Sequence, residues 1–190
     1  MTFTTWQPGT ALNSPVYLDA NVLVGATVTK HRLYRQAVEV VGDLLASGAT
    51  ILVSLLGVQE SLWALAKLSY LDLFRLGSNT RFTQRIYERH CDKIFEKYGE
   101  RISAVPAMLR GWSEAGVTVA SVSKTDSDFL QVSDLTPRYM RQCGLTPGDA
   151  AHLALAKTHA RTFVTADSDF KSVAESDLLG DLVVVHLGPR

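Results

Sequence analysis

Residues 145–170 read Leu-Thr-Pro-Gly-Asp-Ala-Ala-His-Leu-Ala-Leu-Ala-Lys-Thr-His-Ala-Arg-Thr-Phe-Val-Thr-Ala-Asp-Ser-Asp-Phe. The stretch opens with a turn, runs through a helix from Pro147 to His159, and passes into an uncharged strand over 162–165. It ends in a second turn that carries Asp167 and Asp169. Thr146-Pro-Gly-Asp149 is a capping-box pattern, with Thr146 as N-cap, Pro147 at the first helical position and an acid at the third. A helix followed at once by a buried strand is one unit of an α/β fold. Its acids fall at the two places where chain emerges beyond a sheet edge.

Working outward, the same grammar recurs. Residues 16–18 form an apolar strand that stops at Asp19, with Asn21 two residues on. Residues 31–48 space Leu33, Ala37, Val40, Val41, Leu44 and Leu45 along one helical face, and Gly48 is placed to end that helix. Residues 50–53 are a β-branched strand, and Ser54 caps a helix that contains Glu60. A strand is expected over 117–122, a helix over 128–143 broken near Pro137, and a last strand over 182–185. Strands alternating with helices predict a mostly parallel central sheet flanked by helices, with right-handed crossovers. Residues 1–15 read as an irregular arm, 16–190 as one domain, and 72–145 as an extended helical region within it.

Composition sets the outer bounds. The chain has 190 residues, enough for a substantial core, and balances 19 basic against 19 acidic residues. Zero formal charge argues against coating nucleic acid by bulk charge, while leaving room for a local basic rim. No apolar run suits a membrane span, the first residues do not read as a secretory signal, and two cysteines without metal spacing fit a reducing cytoplasm. No phosphate-cradling glycine motif is present. Residues 81–101 set a basic row (Arg81, Arg85, Arg89, Lys93, Lys97, Arg101) beside an acidic one (Glu88, Asp92, Glu96, Glu100). Such rows describe a solvated helix laced with ion pairs; the sharper alternative is one wall of an RNA groove.

Each acid has an ordinary reading. Asp19 could end a strand as an N-cap, Glu60 could be a polar-face glutamate, and Asp149 and Asp167 could be caps. His152 reads as a packed or supporting histidine, since zinc sites bring more than one His or Cys. Taken together, four acids from distant parts of the chain all follow a sheet strand. Ligands of parallel sheets gather beyond those carboxyl ends. Unneutralised carboxylates in one place repel one another, and hard oxygen donors select Mg²⁺ or Mn²⁺.

The motifs Val16-Tyr-Leu-Asp-Ala-Asn-Val-Leu23, Ser54 through Glu60, Gly148-Asp-Ala-Ala-His-Leu-Ala154 and Phe163-Val-Thr-Ala-Asp-Ser-Asp-Phe170 resemble the PIN domain, the fold of VapC-type toxin ribonucleases. The resemblance implies strand order 3-2-1-4-5. It implies an acidic quartet of Asp19, Glu60, Asp149 and Asp167, with Asp19, Asp149 and Asp167 holding the metal and Asp169 as a further ligand. Asn21 and Thr165 would orient the carboxylates. It implies a Mg²⁺- or Mn²⁺-dependent endoribonuclease of the cytoplasm, the toxin of a type II toxin–antitoxin pair, with RNA as substrate, an antitoxin protein as partner and a homodimeric state. An RNA-processing nuclease without an antitoxin is the alternative, and a catalytically idle PIN-like binding module stands behind it. The arm at 1–15 and the long region 72–145 depart from a compact toxin. A phosphatase of the HAD type also places an acid after its first strand, but wants a second Asp where Asn21 stands. Arg110, Arg138, Arg141, Lys157 and Arg161 are the sequence's candidates for phosphate contacts.

Overall fold

The three central strands are buried at every residue, as expected for a parallel sheet covered on both faces, and the edge strands are only partly buried. The computed structural model describes residues 3–122, 126–174 and 177–188. Six strands, β1 (Phe3–Thr5), β2 (Val16–Leu18), β3 (Ile51–Val53), β4 (Val119–Ser121), β5 (Thr162–Thr165) and β6 (Val183–His186), form one sheet in the order β1-β6-β5-β2-β3-β4. All five pairings are parallel. The helices are α1 (Ala20–Thr27), α2 (Tyr34–Ser47), α3 (Leu55–Phe74), α4 (Gln84–Ile102), α5 (Ala104–Glu114), α6 (Asp126–Cys143), α7 (Pro147–His159) and the short α8 (Lys171–Ala174).

The five expected strands lie in the expected order, with β1 added at one edge. Residues 3–5 are therefore a strand and not irregular arm: Phe3, Thr4 and Thr5 register with Val184, Val185 and His186. Phe3 also stacks on His186, with ring centroids 5.7 Å apart. Three residues with no alternating pattern give the sequence no strand signal, so β1 depends on the β6 edge that it covers.

The two-residue period of a strand divides the core. Val16, Leu18, Ile51, Val53, Val164 and Val185 face one way, against α1, α2, α3 and α5, with Leu23, Leu33, Leu44, Leu65, Val105 and Trp112. Tyr17, Leu52, Phe163 and Val184 face the other, against α6 and α7, with Tyr139, Leu153 and Phe170. A third, smaller cluster joins α3 to α4 through Ala66, Ile94 and Ile102.

Local signals set most helix ends. Gly48 takes the left-handed conformation (φ 67°) that closes α2, and Thr146 Oγ1 accepts from the Asp149 amide to start α7. The expected break at Pro137 does not occur: α6 runs through it. Proline costs the helix one amide donor. Along this stretch Tyr139 is buried against the α7 side of the core, and Thr136 Oγ1 donates to the Val132 carbonyl at 2.8 Å. The charged segment is helical from Gln84, with non-helical backbone at Tyr98. Among the described residues no helix is long and apolar enough to cross a membrane.

Candidate metal centre

The sheet order reverses at β2, which has β3 on one side and β5 on the other, although β5 comes much later in the chain. Such a switch point opens a crevice at the carboxyl ends of the strands. Asp19 stands there as the first residue beyond β2 and the N-cap of α1. Its amide donates to the Val164 carbonyl of β5 at 3.1 Å, which fixes its place beside that strand.

The Asp19 carboxylate is buried and held at both oxygens. Oδ1 accepts from the Ala20 amide at 2.7 Å, and Oδ2 accepts from Asn21 Nδ2 and Thr165 Oγ1, both at 2.6 Å. Asn21 in turn accepts from the Ala166 amide at 2.9 Å, and Thr165 Oγ1 accepts from the Asp167 amide at 3.0 Å. Asn21 and Thr165 thus tie the acid after β2 to the turn after β5. Burial pushes the Asp19 pKa above the carboxylate range; His152, Thr165 and the Ala20 amide oppose that shift, and Glu60 adds to it. A carboxylate desolvated in this way is stabilised by an added positive charge.

Glu60 arrives from the second turn of α3, which Ser54 caps by accepting from the Gly57 amide at 3.0 Å. His152, from α7, meets Glu60 Oε2 through Nε2 at 2.8 Å and Tyr17 Oη through Nδ1 at 2.7 Å. Tyr17 Oη also lies 2.7 Å from Ser54 Oγ. One proton arrangement satisfies this row with a neutral imidazole: Ser54 donates to Tyr17, Tyr17 to His152 Nδ1, and His152 Nε2 to Glu60. Burial, which is foremost, with Asp19 and Glu60 nearby, keeps the Tyr17 phenol well above its ordinary pKa, so it is a neutral donor. Burial would lower the His152 pKa, but the Glu60 hydrogen bond and the charges of Asp19, Glu60 and Asp149 carry it above its ordinary value. Both ring nitrogens are engaged, so His152 orients Glu60.

The other acids come from α7 and from the turn after β5. Asp149 and Asp167 are half-buried and Asp169 is exposed; a carboxylate oxygen from each lies within 4.8 Å of the others. Asp149 Oδ2 accepts from Thr146 Oγ1 at 2.5 Å, and Asp167 Oδ1 accepts from the Asp169 amide at 2.9 Å. Donor atoms of Asp19, Glu60 and His152 form a second group of the same tightness. Asp19, Asn21, Glu60, Asp149 and Asp167 all line one cleft of about 410 Å³, which Lys67 and His31 also border. Gly148 keeps the space between the α7 start and α3 open: a Cβ there would lie 3.2 Å from Glu60 Oε1. A set of carboxylate oxygens with one desolvated member fits a hard divalent cation. The four cleft acids do not form one such group: among the described residues Asp149 and Asp167 cluster with Asp169, and Asp19 clusters with Glu60 and His152.

The sequence did not reveal the row of Tyr17, Ser54 and His152 that positions Glu60. Its faint signal is His152 one helical turn after Asp149, on the face that α7 turns to the sheet. The five cations named as phosphate contacts are not among the residues that line the cleft. Arg161 precedes β5, at the opposite end of the strands from the acids, and Lys157 Nζ donates to the Leu179 carbonyl.

The family described as the PIN domain matches residues 118–176. No curated protein matches the chain. Among solved structures, a chain of VapBC2 from Rickettsia felis bound to a DNA fragment from their promoter is similar at 16% identity, over 89% of this chain and 96% of that one, with a TM-score of 0.47. The matched family segment contains Asp149, Thr165, Asp167 and Asp169, while Asp19 and Glu60 lie outside it. By that match residues 118–176 are similar to the PIN domain.

Proposed function

We propose that the chain is a Mg²⁺- or Mn²⁺-dependent endoribonuclease that hydrolyses RNA phosphodiester bonds, and that it serves as the toxin of a toxin–antitoxin pair in the cytoplasm. The observation that carries the reading is the meeting of Asp19, Glu60, Asp149 and Asp167 in one cleft at the sheet's switch point. An acidic cleft repels a polyanion unless a cation fills it, so metal and substrate binding are coupled. Asp19, Asp149 and Asp167 would hold a divalent ion, whose chemistry when bound would be to lower the pKa of water and shield charge on the phosphate. Thr165 and Asn21 hold Asp19 in place. Glu60, aimed by His152, accepts a proton during attack on phosphorus. None of the quartet needs to act as a covalent nucleophile. The antitoxin partner and the homodimer belong to this reading through the family resemblance.

Total cellular RNA incubated with Mg²⁺, Mn²⁺ or EDTA, followed by end-mapping, tests the activity. Cleavage with metal, none in EDTA and none by Asp149→Asn is the expected result. Full cleavage by purified Asp149→Asn sinks it. Growth arrest on expression of the wild type but not of Asp149→Asn tests the toxin role.

A further inference from the structure

A second cavity, of about 520 Å³, adjoins the acidic cleft; His31 and Leu68 line both. Its charge is the reverse of its neighbour's. Lys30, Arg32 and Arg101 face it, with Asp72 as its one lining carboxylate. Asp72 is engaged with Arg101 at 2.6 Å. Lys30 and Arg32 have no ion-pair partner among the described residues. In a chain of zero net charge, this concentration of positive charge beside an acidic cleft is local.

The backbone that carries Lys30 and Arg32 is fixed. Thr27 Oγ1 donates to the Val24 carbonyl at 3.0 Å, and the His31 amide donates to the Val28 carbonyl at 2.8 Å. His31 Nδ1 accepts from the Leu33 amide at 3.3 Å, which leaves the imidazole proton on Nε2. Burial, and then Arg32, hold the His31 pKa below its ordinary value, so His31 is a neutral donor there. Gly25 lets α1 and α2 approach beneath the loop; a Cβ would stand 3.1 Å from Ala37 Cβ. Arg101 is held by Asp72 and lies over the Tyr98 ring, 4.6 Å from its centroid. Pre-positioned cations of this kind suit phosphates.

We propose that this cavity binds the phosphodiester backbone of RNA next to the bond cut in the acidic cleft, with Lys30 and Arg32 contacting phosphates and Arg101 closing the far wall. The inference rests on the ribonuclease reading and says where the substrate's neighbouring nucleotides lie. It also replaces Arg138 and Arg141 of α6 as the phosphate contacts.

The test compares two double variants with the same loss of charge, Lys30→Gln/Arg32→Gln and Arg138→Gln/Arg141→Gln. All four side chains are exposed, so both variants should fold. Binding of a short fluorescent single-stranded RNA is measured in Ca²⁺, a hard cation for the acidic cleft, across a KCl series, and cleavage kinetics are measured in Mg²⁺. Lys30→Gln/Arg32→Gln should weaken binding about tenfold and reduce the salt slope by about 1.4, or about 0.7 per lost phosphate contact. It should raise KM with little change in kcat, and Lys30→Arg/Arg32→Lys should restore binding. Arg138→Gln/Arg141→Gln should stay within about twofold of wild type. Equal losses in the two variants, loss in neither, or no RNA binding by the wild type would overturn the site. RNA that binds through Lys30 and Arg32 but is not cut with metal refutes the nuclease reading and leaves the site standing. RNA that is cut by the Lys30→Gln/Arg32→Gln protein at wild-type KM refutes the site and leaves the nuclease.

Discussion

The phenol of Tyr17 lies 2.7 Å from Nδ1 of His152, under the sheet edge where the acids gather. Replacing Tyr17 with Phe removes that partner and the one at Ser54 Oγ together, and both are buried. Buried polar groups left without partners cost about 1–3 kcal/mol. At this chain length that lowers Tm by roughly 2–12 °C. Scanning calorimetry on Tyr17→Phe should show it, and a Tm equal to wild type would mean that the row adds nothing to stability. Cleavage should fall as well, because His152 loses the contact that sets its tautomer toward Glu60.

Gly148→Ala separates stability from activity. Position 148 lies in the first turn of α7, where alanine is about 1 kcal/mol better than glycine. Its Cβ would crowd Glu60 Oε1 at 3.2 Å, so the carboxylate must shift by a few tenths of an ångström. Tm should hold or rise while the rate falls by about tenfold, in line with the cost of small misplacements at a reacting centre. Wild-type kinetics in Gly148→Ala would show that the position of Glu60 is not critical.

Mg²⁺ should stabilise the protein by mass action. At ten times its Kd, a ligand of the native state adds about 1.4 kcal/mol, or roughly 3–6 °C in Tm. Asp149→Asn and Asp167→Asn should lose most of that shift, and Asp169→Asn the least, since Asp169 is the exposed member of its group. Thermal scans with and without Mg²⁺ read it directly. A full shift in Asp149→Asn would remove that residue from the ligand set.

His186 gives the fold an acid-sensitive edge. Burial first, and Lys171 second, hold its pKa below the ordinary histidine value. Its Nε2 is buried without a hydrogen-bond partner among the described residues. The folded state therefore binds fewer protons here than the unfolded chain does. The contribution is complete above the unfolded pKa of about 6.5 and is lost as pH falls from there through the folded value. His186→Phe keeps a ring beside Phe3 and removes the titration. The Tm gap between variant and wild type should move in the variant's favour between neutral and mildly acidic pH. A gap independent of pH would contradict the assignment.

What the sequence displays depends on how far apart the cooperating residues are. β2, β3 and β5 are runs of apolar and β-branched residues with polar stops, so the strands are readable, as are Asp19 and Asp167 just beyond them, while their order in the sheet is implied only by the PIN resemblance. Asp149 is legible because Thr146, Pro147 and the acid lie within one turn. The Tyr17–His152 contact spans 135 positions and joins a strand residue to a helix residue, each of which alone reads as core. The basic cavity draws on residues 27–32 and on Arg101, which local periodicity places in an unremarkable charged row. β1 has no pattern of its own. Pro137 shows the opposite error, where a strong local signal yields to packing along α6.

The hydrogen bond from Thr165 to Asp19 joins residues 146 positions apart. During translation, then, the first acid waits through most of synthesis before the strand that positions it exists. A polypeptide emerging from the ribosome carries an incomplete acidic cleft until β5 has joined β2. The order of the strands thus works as a delay: the acidic cleft is complete only when the last part of the chain has joined the first.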